Sequence, residues 1–311
     1  PGHEMVIELE ARPLAPLPSR PCTQHWVMDP AAKMQGTGKA WGYYHFLIEF
    51  LPRLLLALNT TACTRNVVHV PHHSDGKFRL ASPSGKDSLE APAGELVGMY
   101  GVSILEYDRR GGRKTLAALP REALPLPFPH KRRPPTPSRE GIALLRSHAY
   151  RLAFTSFGRE LENTPAEDVL IIRRAPSANS THVGYTRRHL KAGFHEAASA
   201  FLAGHNVTHA IVEWERMSLL EQVRRMSRAK VLVGIHGAGL SDMVFFRDFG
   251  NSAVVELGYR QMACYVQLSR MLGIYYSHAG DIRWSPTVER AILSALEAVG
   301  SGPGRRHAML R

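Results

Sequence analysis

From Asp168 onward, short continuous apolar runs alternate with stretches whose apolar residues recur every three or four positions. Asp168-Val169-Leu170-Ile171-Ile172 reads as a buried strand, Phe194 to Ala203 as a helix, and His209-Ala210-Ile211-Val212 as a strand. Leu219 to Met226 reads as a helix with Leu219, Leu220, Val223 and Met226 on one face. Lys230 to Ile235 is strand again, Leu240 opens a short helix, Ala253 to Leu257 is strand, and Met262 to Leu272 is helix. A closing helix has Ser285 as its cap and Pro286 at its first position, and it lines Val288, Ile292, Leu296 and Val299 along one stripe. This alternation predicts a parallel sheet covered on both faces, a doubly wound α/β unit.

The first half is patterned less regularly. "YYHFLIEFLPRLLLAL" has helical spacing, Asn66 to Val70 and Val102 to Tyr107 read as strands, and Leu96 to Tyr100 as a helix end. Glu49, Pro52 and Arg53 interrupt the longest apolar segment, Phe46 to Leu58, so it predicts a core helix rather than a membrane span. Residues 125–138, "PLPFPHKRRPPTPS", are too rich in proline and charge for an element interior and read as a linker. The expected organisation is a smaller α/β domain over residues 1–138 and a second over residues 139–311, with an interdomain cleft suited to a ligand.

Composition adds two constraints. The net charge of +12 favours anionic partners. Much of the excess lies between Arg109 and Arg139, but no aromatic is interleaved in Lys131-Arg132-Arg133 for base stacking. That run reads as a solvated linker, and nucleic acid is not an expected partner. None of the three cysteines has zinc-ligand spacing; Cys22 and Cys63 can pair in an oxidising compartment, which would leave Cys264 free and buried. Of six asparagines, Asn59, Asn179 and Asn206 open N-x-S/T triplets, the pattern of glycosylation in the secretory pathway. The chain begins at Pro1, so an upstream signal or anchor can have been removed.

The segment with the most chemical content is "VLVGIHGAGLSDMVFF", residues 231–246. A buried strand ends there on His236-Gly237-Ala238-Gly239, at the carboxyl end of a parallel strand where ligands of such sheets sit. Glycines let backbone N–H groups approach a ligand, and a helix start offers unsatisfied donors, a combination that suits a diphosphate. The dinucleotide fingerprint fails at Asp242, where glycine is required, and the hydrolase nucleophile elbow fails at Met243. No Asp-x-Asp occurs; Glu213-Trp214-Glu215 is the nearest analogue and reads as solvated or capping glutamates. Arg173, ending its strand, and the backbone after His236 are the more economical stabilisers of a departing diphosphate. His45 and Glu49 are four apart on one helical face and Arg53 continues the row, which fits either a structural network or a base oriented by a carboxylate.

Residues 210–257, "AIVEWERMSLLEQVRRMSRAKVLVGIHGAGLSDMVFFRDFGNSAVVEL", resemble the core of glycosyltransferase family 61, whose members include xylosyl-, arabinosyl- and N-acetylglucosaminyltransferases of the secretory pathway. The likeness rests on the pair Glu221-Gln222, on His236 to Leu240, and on a strand ending in Glu256. "WGYYHFLIEFLPRLL" resembles the family's N-terminal histidine-containing helix with its Leu-Pro-Arg, here Leu51-Pro52-Arg53. The family's arginine before the nucleotide site matches Arg173; a second usually follows closely, whereas here Arg187 and Arg188 come later, so Arg173 and Arg187 are both candidates for the diphosphate.

The resemblance implies a GT-B-type α/β fold of two Rossmann-like domains, with the acceptor-side domain first. It implies inverting transfer of xylose or N-acetylglucosamine from a UDP-sugar to a hydroxyl of a glycan or glycoprotein, in the lumen of the Golgi or endoplasmic reticulum. Membrane association would come only through an anchor absent from this chain. His45 and Glu49 would be catalytic; Arg173, Arg187, His236, Gly237, Ala238, Gly239, Leu240 and Glu256 would bind the donor; Arg53, Glu221 and Gln222 would support the site. No cofactor or metal is expected, the UDP-sugar being a co-substrate. The alternatives are a non-enzymatic nucleotide-binding relative and a polyanion-binding protein acting through Lys131, Arg132 and Arg133.

Overall fold

The computed structural model describes residues 20–27, 47–48, 51–60, 63–71, 102–107, 124–125, 138–158, 166–174, 189–258 and 263–300. The chain divides into two compact units, Pro1–Leu152 and Ala153–Arg311.

In the first unit, strand β1 (Arg20–Val27) is followed by helix α1 (Leu51–Leu58) and strands β2 (Cys63–Pro71), β3 (Val102–Tyr107) and β4 (Leu124–Pro125). The strands are parallel, in the order β3-β2-β1-β4. β1 carries no apolar run or clean alternation, so the pattern along "RPCTQHWV" did not reveal it. A Cys22–Cys63 disulfide joins β1 to β2. Cys264 is the free thiol but is partly exposed rather than buried. Pro125, read as the start of the linker, instead ends β4, a two-residue edge strand where a missing N–H is tolerated.

α1 is apolar on nearly every side and correspondingly buried, Arg53 included. Helix α2 (Arg139–Phe157) begins where the proline-rich segment ends, with the Ser138 hydroxyl accepting from the Gly141 N–H at 3.1 Å. A Cβ at Gly141 would lie 2.8 Å from that of Pro52, so glycine permits the close approach of α2 to the first turn of α1.

The second unit runs β5 (Glu167–Ile172), α3 (Phe194–Gly204), β6 (His209–Val212), α4 (Leu219–Met226), β7 (Ala229–Ile235), β8 (Ala253–Leu257), α5 (Ala263–Leu272), β9 (Tyr275–Ala279) and α6 (Pro286–Ala298). Its five strands are parallel in the order β6-β5-β7-β8-β9. These elements follow the sequence pattern closely, apart from β9, an edge strand whose "YYSHA" is largely half-exposed and has no apolar run.

Side-chain parity assigns the two faces. Val169, Ile171, Val231, Val233 and Val255 pack with Phe194, Ala198 and Leu202 of α3 and with Val288, Ile292 and Leu296 of α6. The opposite face is covered by α4, α5 and a 3₁₀ helix, Ala238–Phe245. That 3₁₀ helix replaces the short α-helix expected from Leu240. It starts two residues earlier, and the Leu240 N–H bonds the Gly237 carbonyl at 3.1 Å, so this donor is already engaged. Among the described residues no helix is long and apolar enough to cross a membrane.

Candidate functional site

The strand order β6-β5-β7-β8-β9 reverses direction between β5 and β7, the topological switch point at which ligands of open parallel sheets bind. Hydrogen bonding continues just past the strand ends: the Arg173 N–H donates to Val212 O at 2.8 Å and the His236 N–H to Leu257 O at 2.9 Å. Arg173-Arg174 and His236-Gly237 therefore leave the sheet beside one another. Arg174 closes the gap: a Cβ at Gly237 would lie 1.8 Å from Arg174 Nη2 and 3.0 Å from its Cζ. The guanidinium occupies the place of the missing side chain.

This alters the reading of the glycines. A Cβ at Gly239 would meet Trp214 Cδ1 at 2.9 Å and Ile172 Cδ1 at 3.3 Å, and one at Gly234 would meet Ile172 Cδ1 at 2.9 Å and Leu240 Cδ2 at 3.2 Å. Two of these glycines make room for the core and one for a cation. Leu240 is wholly buried, so its side chain braces the loop from beneath.

His236 is held from below. Glu256, fully buried at the end of β8, accepts from His236 Nδ1 at 2.5 Å and from the Tyr276 hydroxyl. With Nδ1 bonded to the carboxylate, Nε2 is the ring atom left for a ligand. The Tyr265 hydroxyl donates to Gly237 O at 2.6 Å, and its ring meets the His236 ring edge-on with centroids 5.4 Å apart. Sequence reasoning missed Arg174, Tyr265 and Tyr276. An Arg-Arg pair at a strand end was the available signal for Arg174, whereas the tyrosines belong to no motif and are joined to the loop only by folding.

Arg173 is engaged sideways. Glu213, half-hidden after β6, takes Arg173 Nε at 2.6 Å on one oxygen and Arg216 Nε at 2.7 Å on the other. Glu213 is therefore an ion-pair partner for two guanidiniums, not the solvated or capping residue expected. His195, in the first turn of α3, has its pKa lowered by burial and then by the neighbouring Arg173 charge, which favours the neutral ring. It too was missed.

The supporting pair splits into two roles. Gln222 is buried and its Nε2 donates to Trp214 O and Met217 O, both at 3.1 Å, fixing the 3₁₀ turn Trp214–Arg216 that seats Trp214 against Gly239. Glu221 bonds on the helix surface, with Arg224 and more distantly Arg225. Among the described residues, no group of three or more His, Cys, Asp or Glu side chains is placed to hold a metal ion.

His45, Glu49, Arg187 and Asn179 lie outside the described residues, as do Lys131, Arg132 and Arg133; of Ala238 only the backbone is described. Arg53 is buried in α1, Asn59 is half-buried in the turn after it, and Asn206 is exposed after α3 with a positive φ of 54°.

A family model described as Glycosyltransferase 61 matches residues 43–251, which include Arg173, Arg174, Glu213 and the His236–Leu240 loop. Over 65 residues the chain is 35% identical to the EGF domain-specific O-linked N-acetylglucosamine transferase of Rattus norvegicus. The same-named proteins of Mus musculus and Canis lupus familiaris are 34% and 32% identical. Each alignment covers 21% of this chain and only 12% of the relative. With two thirds of its length inside the family match and the glycine loop, its histidine and its strand-end arginines gathered at the switch point, the chain belongs to glycosyltransferase family 61.

Proposed function

We propose that the protein is an inverting, metal-independent glycosyltransferase with a GT-B-type arrangement of two Rossmann-like domains, using a UDP-sugar and a glycan or glycoprotein acceptor. The observation that carries the reading is the juxtaposition of Arg173-Arg174 with His236-Gly237 where β5 and β7 part. The acceptor oxygen attacks the anomeric carbon opposite the diphosphate, the bond from that carbon to the diphosphate oxygen breaks, and the hydroxyl proton passes to a base. Negative charge then builds on UDP, and the strand-end guanidiniums, His236 Nε2 and the loop N–H groups are suited to receive it. Metal independence is supported by the absence of Asp-x-Asp in the sequence and by the arginines that engage both oxygens of Glu213. His45, oriented by Glu49, is assigned the base from sequence. N-acetylglucosamine is favoured over xylose by the relatives' activity. The Cys22–Cys63 disulfide supports a secretory-pathway lumen, Golgi or endoplasmic reticulum.

The test is UDP release from UDP-N-acetylglucosamine and UDP-xylose with a glycoprotein acceptor, in EDTA. Turnover should persist in chelator, and His45→Ala should lower it about 10²–10⁴-fold with UDP affinity unchanged. Loss in EDTA restored by manganese would overturn metal independence. UDP binding without turnover of any donor would identify a non-enzymatic relative.

A further inference from the structure

We propose that Arg174 is the guanidinium that grips the donor diphosphate, and that residue 237 is glycine in order to house it. This rests on the nucleotide-sugar reading above. Backbone conformation does not require glycine here: φ 163° and ψ 171° are extended and open to any residue. Space does. The ideal Cβ position is 1.8 Å from Arg174 Nη2, 3.0 Å from Cζ and 3.5 Å from Nε, so the volume of a methyl group is filled by the fork of the guanidinium.

The neighbouring glycines show that this is specific. The space reserved at Gly234 and Gly239 is filled by Ile172, Leu240 and Trp214, which is packing. At Gly237 alone among them the chain reserves space for charge, at the switch point beside His236. The Tyr265 hydroxyl and the Leu240 N–H both bond the Gly237 carbonyl, so its acceptor capacity is committed within the loop. Arg173, the residue singled out by motif, has its Nε on Glu213, whose negative charge it shares with Arg216. Arg174, by its place at Gly237, sets a cation against the loop itself, with planar donor geometry matched to phosphate oxygens.

The hypothesis that the glycine instead admits ligand to bare backbone makes a different prediction, and a double-mutant cycle on the full chain separates the two. UDP affinity is read by calorimetry, and melting temperature reports folding. Arg174→Ala should weaken UDP binding about 10- to 100-fold. Gly237→Ala should weaken it in the same direction with an unchanged melting temperature, because the methyl displaces only the far end of a flexible side chain. In the Arg174→Ala background, Gly237→Ala should add less than about twofold. Arg174→Gln, which keeps most of the side-chain volume, supplies the comparison if the alanine variant folds poorly. An equal loss from Gly237→Ala in both backgrounds, or wild-type affinity in folded Arg174→Ala and Arg174→Gln, would overturn the proposal. A wild type that binds no UDP would overturn the donor reading itself, a separate outcome.

Discussion

Gln222→Leu should destabilise the second unit by about 1 kcal/mol, most of it through one buried hydrogen bond. The side chain is 1% exposed and spans from α4 back to the turn before it, donating to Trp214 O and Met217 O. Leucine keeps the volume and removes both donors. The bond to Trp214 is buried, but that carbonyl keeps the Met217 N–H at 3.0 Å, so the loss is that of one net hydrogen bond, about 0.5–1.5 kcal/mol. The bond to Met217 is only partly buried, and water recovers much of its energy. Apolar burial of the new leucine offsets a fraction of the total. Urea unfolding followed by circular dichroism should show a lower midpoint at unchanged slope. Glu221→Ala is the control: its carboxylate is 24% exposed and pairs along the helix surface, so the loss should stay below about 0.5 kcal/mol. Because the bridged turn seats Trp214 against Gly239, Gln222→Leu should also weaken UDP binding. Wild-type stability in Gln222→Leu, or a loss no greater than in Glu221→Ala, would refute the reasoning.

Three further outcomes are expected. The Cys22–Cys63 disulfide closes a segment of sequence separation 41, worth about 4 kcal/mol of chain entropy; dithiothreitol should lower the unfolding midpoint of Pro1–Leu152 and leave that of Ala153–Arg311 in place, and equal stability with and without reductant would contradict it. Burial, then the adjacent Arg151 charge, lowers the pKa of His148 from 6.5 to about 4. The unfolded chain therefore takes up this proton first, so stability is full above pH 6.5 and falls between there and about pH 4; the loss is about 3 kcal/mol, and His148→Gln should flatten that part of a urea-unfolding pH series. Gly239→Ala should cost about 1–3 kcal/mol, because its methyl meets Trp214 and Ile172 in the core, and an unshifted melting temperature would refute this.

The second unit was legible because its strands are buried on both faces and read as uninterrupted apolar runs, such as Val169–Ile172 and Val231–Ile235. β9 was not, since an edge strand keeps polar and half-exposed residues and loses the signal that periodicity detects. β1 was hidden for another reason: its partners, β2 and β4, are distant in sequence, and pairing rather than local pattern defines it. Within the site, His236 and Glu256 were visible as strand-end residues, but their bond was not, because it joins adjacent strands twenty residues apart in sequence. Arg173 was singled out because it ends the strand, and Arg174 beside it was not considered. The fold adds Arg174, whose guanidinium lies in the space at Gly237, while Arg173 pairs with Glu213.

A glycine-rich loop is usually read as a flexible cradle, yet each part of this one is fixed by a different element. Trp214 from the turn after β6 fills the space at Gly239, and Arg174 after β5 fills that at Gly237. Tyr265 of α5 holds the Gly237 carbonyl, and Glu256 of β8 holds the His236 ring. The loop is therefore set by packing and hydrogen bonding within the unit. For the proposed transfer this matters more than the number of donors: charge on a departing diphosphate is stabilised most by groups already in position, which need no reorganisation as the charge develops. The glycines serve that end by admitting the side chains that lock the backbone in place.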